Sequence, residues 1–164
     1  MTARSHLWHR SNRQAKSKAP SALAVSEPTI CQFFVYGTLK RTERNESVWP
    51  VSPTDVQIAW VRGRLYGHRD YPAMKPGLDR VLGELWRFDE PSVASVIRSL
   101  DQLEGTHGNS PSDLYHRHVV ETFDLNNRSC GKTNTYFYVR DPIANGFHLI
   151  EPNEDDYAAW PEVT

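Results

Sequence analysis

The chain has 164 residues, 38% of them hydrophobic, enough for one domain with a real core and not for two. Its net charge of −1 hides an asymmetry: residues 1–26 carry Arg4, Arg10, Arg13, Lys16 and Lys18 and no acid, leaving 14 basic against 20 acidic residues in the rest, about −6. An acidic body argues against a nucleic-acid binding face, which needs cations to displace counterions, and no run approaches the roughly 20 apolar residues that span a bilayer.

In chain order, residues 1–28 read as a disordered basic tail, and residues 29–164 as a single domain. The Ser- and Arg-rich start also suits an organellar transit peptide, whereas Ala22-Leu23-Ala24-Val25 is too short for a secretory core. A first strand is expected over residues 30–36, then a loop or short helix over 40–47. A second strand, Val56 to Tyr66, is interrupted by Gly63, which predicts a bulge or bend. Tyr71-Pro72-Ala73 and Lys75-Pro76-Gly77 read as a turn-rich loop before a strand from Arg80 to Phe88. A helix follows from Pro91 to Leu103, with Asp89 or Glu90 to cap it. Tyr115 to Phe123 and Thr133 to Val139 are further strands, with Cys130 in a polar turn between them, and Asn153 to Asp156 would cap a short terminal helix reaching Trp160. About five bent strands and one strong helix indicate an α+β fold, and glycines inside long strands favour a small curled sheet or barrel. Cys31 and Cys130 make no disulfide framework and read as free thiols of a reducing, cytoplasmic compartment.

Two features carry chemistry. The apolar run Phe33-Phe34-Val35-Tyr36 stops at Gly37-Thr38-Leu39, where backbone N–H groups without strand partners form a concave donor site for a carboxylate or oxyanion. Glycine there permits unusual angles and close approach of a ligand. In the helix, Val93, Val96, Ile97, Leu100 and Leu103 recur at the spacing of one face. Counting roughly 100° per residue from Val93 puts Glu104 near 20°, inside that stripe, and Asp101 near 80°. Gly105 then ends the helix in the left-handed conformation. A carboxylate buried at a helix C-terminus is disfavoured when ionised, so its pKa rises and it becomes a better base near neutral pH. A glutamate before a glycine can also be an ordinary solvated group, and the helix pattern alone does not choose.

Other chemistries find less support. His116 and His118 share a strand face and His107 is close in sequence, but no metal-binding spacing accompanies them, so no metal is expected. Thr38 and Cys31 have no sequence-identifiable base to activate them as nucleophiles.

Val35-Tyr36-Gly37-Thr38-Leu39-Lys40, Gly63-Arg64-Leu65-Tyr66-Gly67 with Tyr71-Pro72-Ala73, Val81-Leu82-Gly83-Glu84-Leu85-Trp86, Leu100-Asp101-Gln102-Leu103-Glu104-Gly105 and Tyr115-His116-Arg117 occur in the order seen in gamma-glutamyl cyclotransferase-like proteins. This resemblance spans residues 31–140. It implies a small curled mixed β-barrel with flanking helices, and an enzyme that turns a gamma-glutamyl compound into 5-oxoproline and a free amine without cofactor or metal. Glu104 would be the general base, and Tyr36, Gly37, Thr38, Leu39 and Tyr115 would bind substrate. Tyr115, placed to donate a hydrogen bond into the cavity, is equally well read as core; Arg117 reads as a structural ion pair and Tyr138 as a cavity wall. Tyr36 to Lys40, continuing through Arg41 and Asn45, looks most like the branch acting on gamma-glutamyl amines, although Thr42 stands where that branch commonly has glycine. The expected partner is a small gamma-glutamyl molecule, not nucleic acid or membrane, and the sequence leaves the oligomeric state open. The alternative is a non-catalytic module of the same fold that binds a small ligand.

Overall fold

The computed structural model describes residues 27–162. The basic tail expected over residues 1–28 lies almost wholly outside the described residues. Strands β1 (Gln32–Val35), β2 (Asp55–Gly67) and β3 (Pro72–Arg87) come first, then helix α1 (Val93–Glu104), then β4 (Tyr115–Phe123), β5 (Ser129–Tyr138) and β6 (His148–Leu149). The sheet runs β3-β1-β5-β4-β2, and β2 pairs again with β3, so five strands close on themselves while β6 adds to β2. The β1–β5 pairing is parallel and the others are antiparallel. The result is a closed, mixed β-barrel in an α+β protein, with α1 as the one helix longer than a single turn among the described residues.

The apolar run Phe33–Tyr36 that makes most of β1 is buried on both faces. Phe33 and Val35 pack with Val93, Val96 and Leu100 of α1. Phe34 and Tyr36 point the other way, into a cluster with Val61, Leu65, Met74, Leu85 and Trp160. In α1 the buried residues are Val93, Val96 and Leu100. Leu103 is 37% exposed, because ten residues at roughly 100° each put it about 80° from Val93, at the edge of the stripe.

Three segments differ from the expectation. Of the residues read as a turn-rich loop before Arg80, all but Tyr71 belong to β3: the β2–β3 turn is at His68–Tyr71, where His68 N–H donates to the Tyr71 carbonyl. Pro76, Gly77 and Leu78 form a bulge instead, since Gly63 pairs with Asp79 and Arg64 with Lys75. Pro has no N–H to donate to a ladder, which is why it sits where pairing lapses. The expected irregularity at Gly63 is the other side of this bulge. Cys130 lies inside β5, which starts at Ser129. The helix expected before Trp160 is absent, because the Asn153 side chain accepts from the N–H groups of Asp155 and Tyr157 and closes a tight turn. At the front of α1, Asp89 accepts from the Ser92 hydroxyl at 2.5 Å and makes no side-chain cap on a backbone N–H.

Candidate active site

One cavity of about 200 Å³ opens between the end of α1, the loop after β1, and the ends of β3, β4 and β5. Tyr36, Gly37, Thr38, Leu39, Glu104 and Tyr115, far apart in sequence, all line it.

The end of α1 delivers Glu104. Gly105 is left-handed at φ 64°, and its N–H and that of Thr106 both donate to the Asp101 carbonyl, so the helix stops on a closed cap with Glu104 as its last residue. Glu104 is half-buried, its open side facing the cavity, and its carboxyl has no hydrogen-bond partner among the described residues. Burial raises its pKa from 4.5 to about 7.

The loop after β1 supplies the opposing wall. Among the described residues, the N–H groups of Gly37, Thr38 and Leu39 have no acceptor, while their carbonyls are engaged: Gly37 accepts from Lys40 N–H at 3.1 Å, Thr38 from Asn45 N–H at 2.9 Å and Leu39 from the Trp49 indole at 3.0 Å. The Asn45 amide also donates to Thr38 Oγ1 at 2.9 Å. Unpaired donors beside paired acceptors suit an anion. The reason for glycine at 37 is not backbone angle, since its φ is not positive; a Cβ there would lie 2.7 Å from the Pro72 ring.

The tyrosines differ from the expectation in hydrogen-bond polarity. Tyr115 does not donate into the cavity: its hydroxyl donates to the Pro72 carbonyl at 2.8 Å. Tyr36 likewise donates to the Tyr136 carbonyl at 2.7 Å. Burial is the first cause that pushes both hydroxyls above the usual tyrosine range, with the Glu104 charge next at Tyr36, and Tyr36 and then Glu104 next at Tyr115, so they stay protonated. With their protons committed to carbonyls, the two oxygens are left as acceptors. An ammonium group, which donates only, is the matching ligand.

Comparison with known proteins bears on this arrangement. Residues 33–159 match the family model described as gamma-glutamyl cyclotransferase, AIG2-like. The chain belongs to this family. No curated protein matches it in sequence. Among solved structures, YkqA from Bacillus subtilis is 23% identical with a TM-score of 0.51, over 74% of this chain and 38% of that one. The chain thus spans well under half of YkqA's length. Protein ytfP from Escherichia coli is 26% identical with a TM-score of 0.46, over 80% and 96% of the two chains. An AIG2-like protein from Mus musculus is 21% identical with a TM-score of 0.46, over 84% and 99%.

As a gamma-glutamyl cyclotransferase-like chain, the protein departs from the expected pattern at a position whose geometry now has a meaning. Thr42 adopts φ 68°, a conformation that glycine accepts and a β-branched residue resists. Its N–H is held by Glu46 Oε2 at 2.8 Å. Arg117 forms the expected ion pair, with Asp101 at 3.1 Å. Tyr138 is buried but does not line the cavity; Tyr136, two residues earlier on the same strand face, does, and its hydroxyl donates to the same Asp101 oxygen at 2.5 Å. Sequence reasoning also passed over Tyr71, Pro72, Arg44 and Leu114. The alternation of Thr133 to Val139, which puts Tyr136 and Tyr138 on one strand face, was the one signal available for Tyr136. Among the described residues no helix is long and apolar enough to cross a membrane.

Proposed function

We propose that this protein is a cyclotransferase that converts a gamma-glutamyl amine or gamma-glutamyl peptide to 5-oxoproline and the free amine. The observation that carries the reading is a single unpartnered carboxyl, Glu104, of pKa about 7, in the same cavity as three backbone donors without acceptors.

The substrate's α-ammonium sits against Glu104 and the oxygens of Tyr36 and Tyr115. Glu104 takes one proton, and the freed amine attacks the γ-carbonyl of its own molecule. The new C–N bond closes a five-membered ring, and the carbonyl oxygen becomes an oxyanion. Glu104 passes its proton to the departing nitrogen, the old C–N bond breaks as the carbonyl reforms, and the ring nitrogen gives up its second proton. Both protons finish on the released amine, which leaves as an ammonium, and Glu104 returns as a carboxylate. Because both reacting groups belong to one molecule, holding the folded conformer can supply ~7 kcal/mol or more of the barrier reduction.

The N–H groups of Gly37, Thr38 and Leu39 receive the α-carboxylate or the oxyanion; such backbone donors contribute roughly 3 kcal/mol each in comparable enzymes. No residue of the chain forms a covalent intermediate in this scheme, and no metal or cofactor is called for.

The test is incubation with a panel of gamma-glutamyl amines and gamma-glutamyl peptides, with 5-oxoproline followed by mass spectrometry. Release of 5-oxoproline together with equimolar amine is expected. Binding of panel compounds without turnover of any would instead favour a small-ligand module of the same fold.

A further inference from the structure

The three backbone donors at Gly37, Thr38 and Leu39 begin a longer run of N–H groups, and the rest of that run is already taken. The Lys40 N–H goes to the Gly37 carbonyl at 3.1 Å. The next two go to carboxylates, Arg41 N–H to Glu84 Oε2 at 3.1 Å and Thr42 N–H to Glu46 Oε2 at 2.8 Å. Glu46 belongs to the same stretch of chain, four residues on. Glu84 comes from β3, 43 residues away, where it pairs with Val35 of β1. Residues paired across antiparallel strands share a face, so Glu84 stands beside the strand end from which the loop departs.

The side chain of Glu84 is only 12% exposed, and a carboxylate so placed is costly unless it is hydrogen-bonded. Its partners all lead back to the loop. Oε2 also accepts from the Trp86 indole at 3.0 Å, and Oε1 accepts from the Arg41 guanidinium at 3.4 Å. Trp86 stacks on Trp49 with ring centroids 4.5 Å apart, and the Trp49 indole donates to the Leu39 carbonyl at 3.0 Å. The loop is therefore gripped on both sides of Lys40, by Trp49 at the Leu39 carbonyl and by Glu84 at the Arg41 N–H, and Trp86 ties the two grips together. The ion pair with Arg41 is the lesser part of this. It is the longest of the three Glu84 contacts, and its guanidinium is 48% exposed, where such pairs contribute little.

We infer that Glu84 and Trp49 are positioning residues, which hold the loop from behind so that the Gly37, Thr38 and Leu39 donors are fixed before a substrate arrives. This rests on the cyclotransferase reading of the cavity. Donors fixed in advance need no reorganisation as charge develops, and displacement by about 1 Å can cost on the order of 10²-fold in rate. Neither Glu84 nor Trp49 lines the cavity, so both act through the loop.

The experiment measures kcat/KM for 5-oxoproline release across pH, together with melting temperature, on Glu84→Leu, Glu84→Gln, Arg41→Ala and Trp49→Phe. Glu84→Leu keeps the bulk but accepts nothing, and should lose roughly tenfold or more in kcat/KM. Glu84→Gln can place its one oxygen where Oε2 stands and accept from both the Arg41 N–H and the Trp86 indole, so it should retain most of the activity although the charge is gone. Arg41→Ala removes the ion pair but not the backbone N–H, and should behave like wild type. Trp49→Phe keeps an aromatic ring against Trp86 but frees the Leu39 carbonyl, and should fall as Glu84→Leu does; it also carries the test if Glu84→Leu does not fold. In every folded variant the pH inflection near 7 should stay in place, because burial alone raises the Glu104 pKa. A merely structural role would lower the melting temperature and leave kcat/KM of the folded protein unchanged, and that result in Glu84→Leu or Trp49→Phe would overturn the inference. A loss in Glu84→Gln or Arg41→Ala as large as in Glu84→Leu would overturn it too, by making the charge, not the grip on the loop, the cause. A displaced inflection would do the same by moving the effect to Glu104. In each of these cases wild type still turns over and the cyclotransferase reading stands, whereas no 5-oxoproline from wild type on any compound of the panel would overturn both.

Discussion

Glu104 is at once the reactive group and a liability to the fold. Its proton is held to a higher pH in the folded protein than in the unfolded chain, so its contribution to stability is whole below about pH 4.5 and is lost as the pH rises past about 7. The shift corresponds to a penalty on the order of 3 kcal/mol above that range. Glu104→Gln should therefore melt higher than wild type at pH 8 and no higher at pH 4.5, a difference that calorimetric scans at the two pH values would show. In the native protein kcat/KM should rise with pH through an inflection near 7, as the carboxyl ionises to become a base. Thr42 is the second residue with a local cost. Left-handed backbone at a β-branched residue is unfavourable by about 1–2 kcal/mol, partly offset by the extra freedom glycine has when unfolded. Thr42→Gly should raise stability by about 1 kcal/mol in urea titration with an unchanged m-value.

The strand ends, turns and helix end act together on the cavity. Gly37 packs against the Pro72 ring, the Pro72 carbonyl holds the Tyr115 hydroxyl, and Tyr115 opens β4. A methyl at position 37 would push this chain of contacts apart. Gly37→Ala should lower stability by about 1–3 kcal/mol, the range for overpacking, and should lower kcat as well, readable from denaturant melts and steady-state kinetics on one preparation. The same elements show what could be read from the sequence. Glu104 and the Gly37 corner were legible because each follows from a local pattern: a 3.6-residue stripe closed by Gly105, and an apolar strand broken by glycine. The bounds of β4 and the bulge at Gly63 were legible for the same reason. The long β3 was not, because Pro76 and Gly77 punctuate a sequence as strongly in a bulge as in a turn, and only their pairing with β2 distinguishes the two. The polarity of Tyr115 was likewise hidden, since the acceptor that takes its proton lies 43 residues away. Asp101 fell outside the helix stripe, and its partners Arg117 and Tyr136 come from two later strands.

In the molecule as a whole, a closed barrel holds the β1 corner against the end of a helix that comes only after β2 and β3 in the chain, and no covalent link does this work. Closure depends on β1, which joins β3 on one side and β5 on the other. A Cβ at Gly83 would lie 2.3 Å from the Val35 carbonyl oxygen, so this pairing tolerates no side chain there. The cavity forms only when these elements are assembled, and a ligand seated in it binds the folded state alone. A non-hydrolysable gamma-glutamyl analogue at about 100 times its Kd should therefore stabilise the protein by roughly 2.7 kcal/mol. The most direct test of the account is 5-oxoproline release by wild type and by Glu104→Gln, with binding of that analogue measured on both by calorimetry. The variant keeps the shape of the side chain but cannot accept the proton, so turnover should fall by roughly 10²-fold or more while the Kd changes only a few-fold. Turnover by Glu104→Gln at the wild-type rate would contradict it.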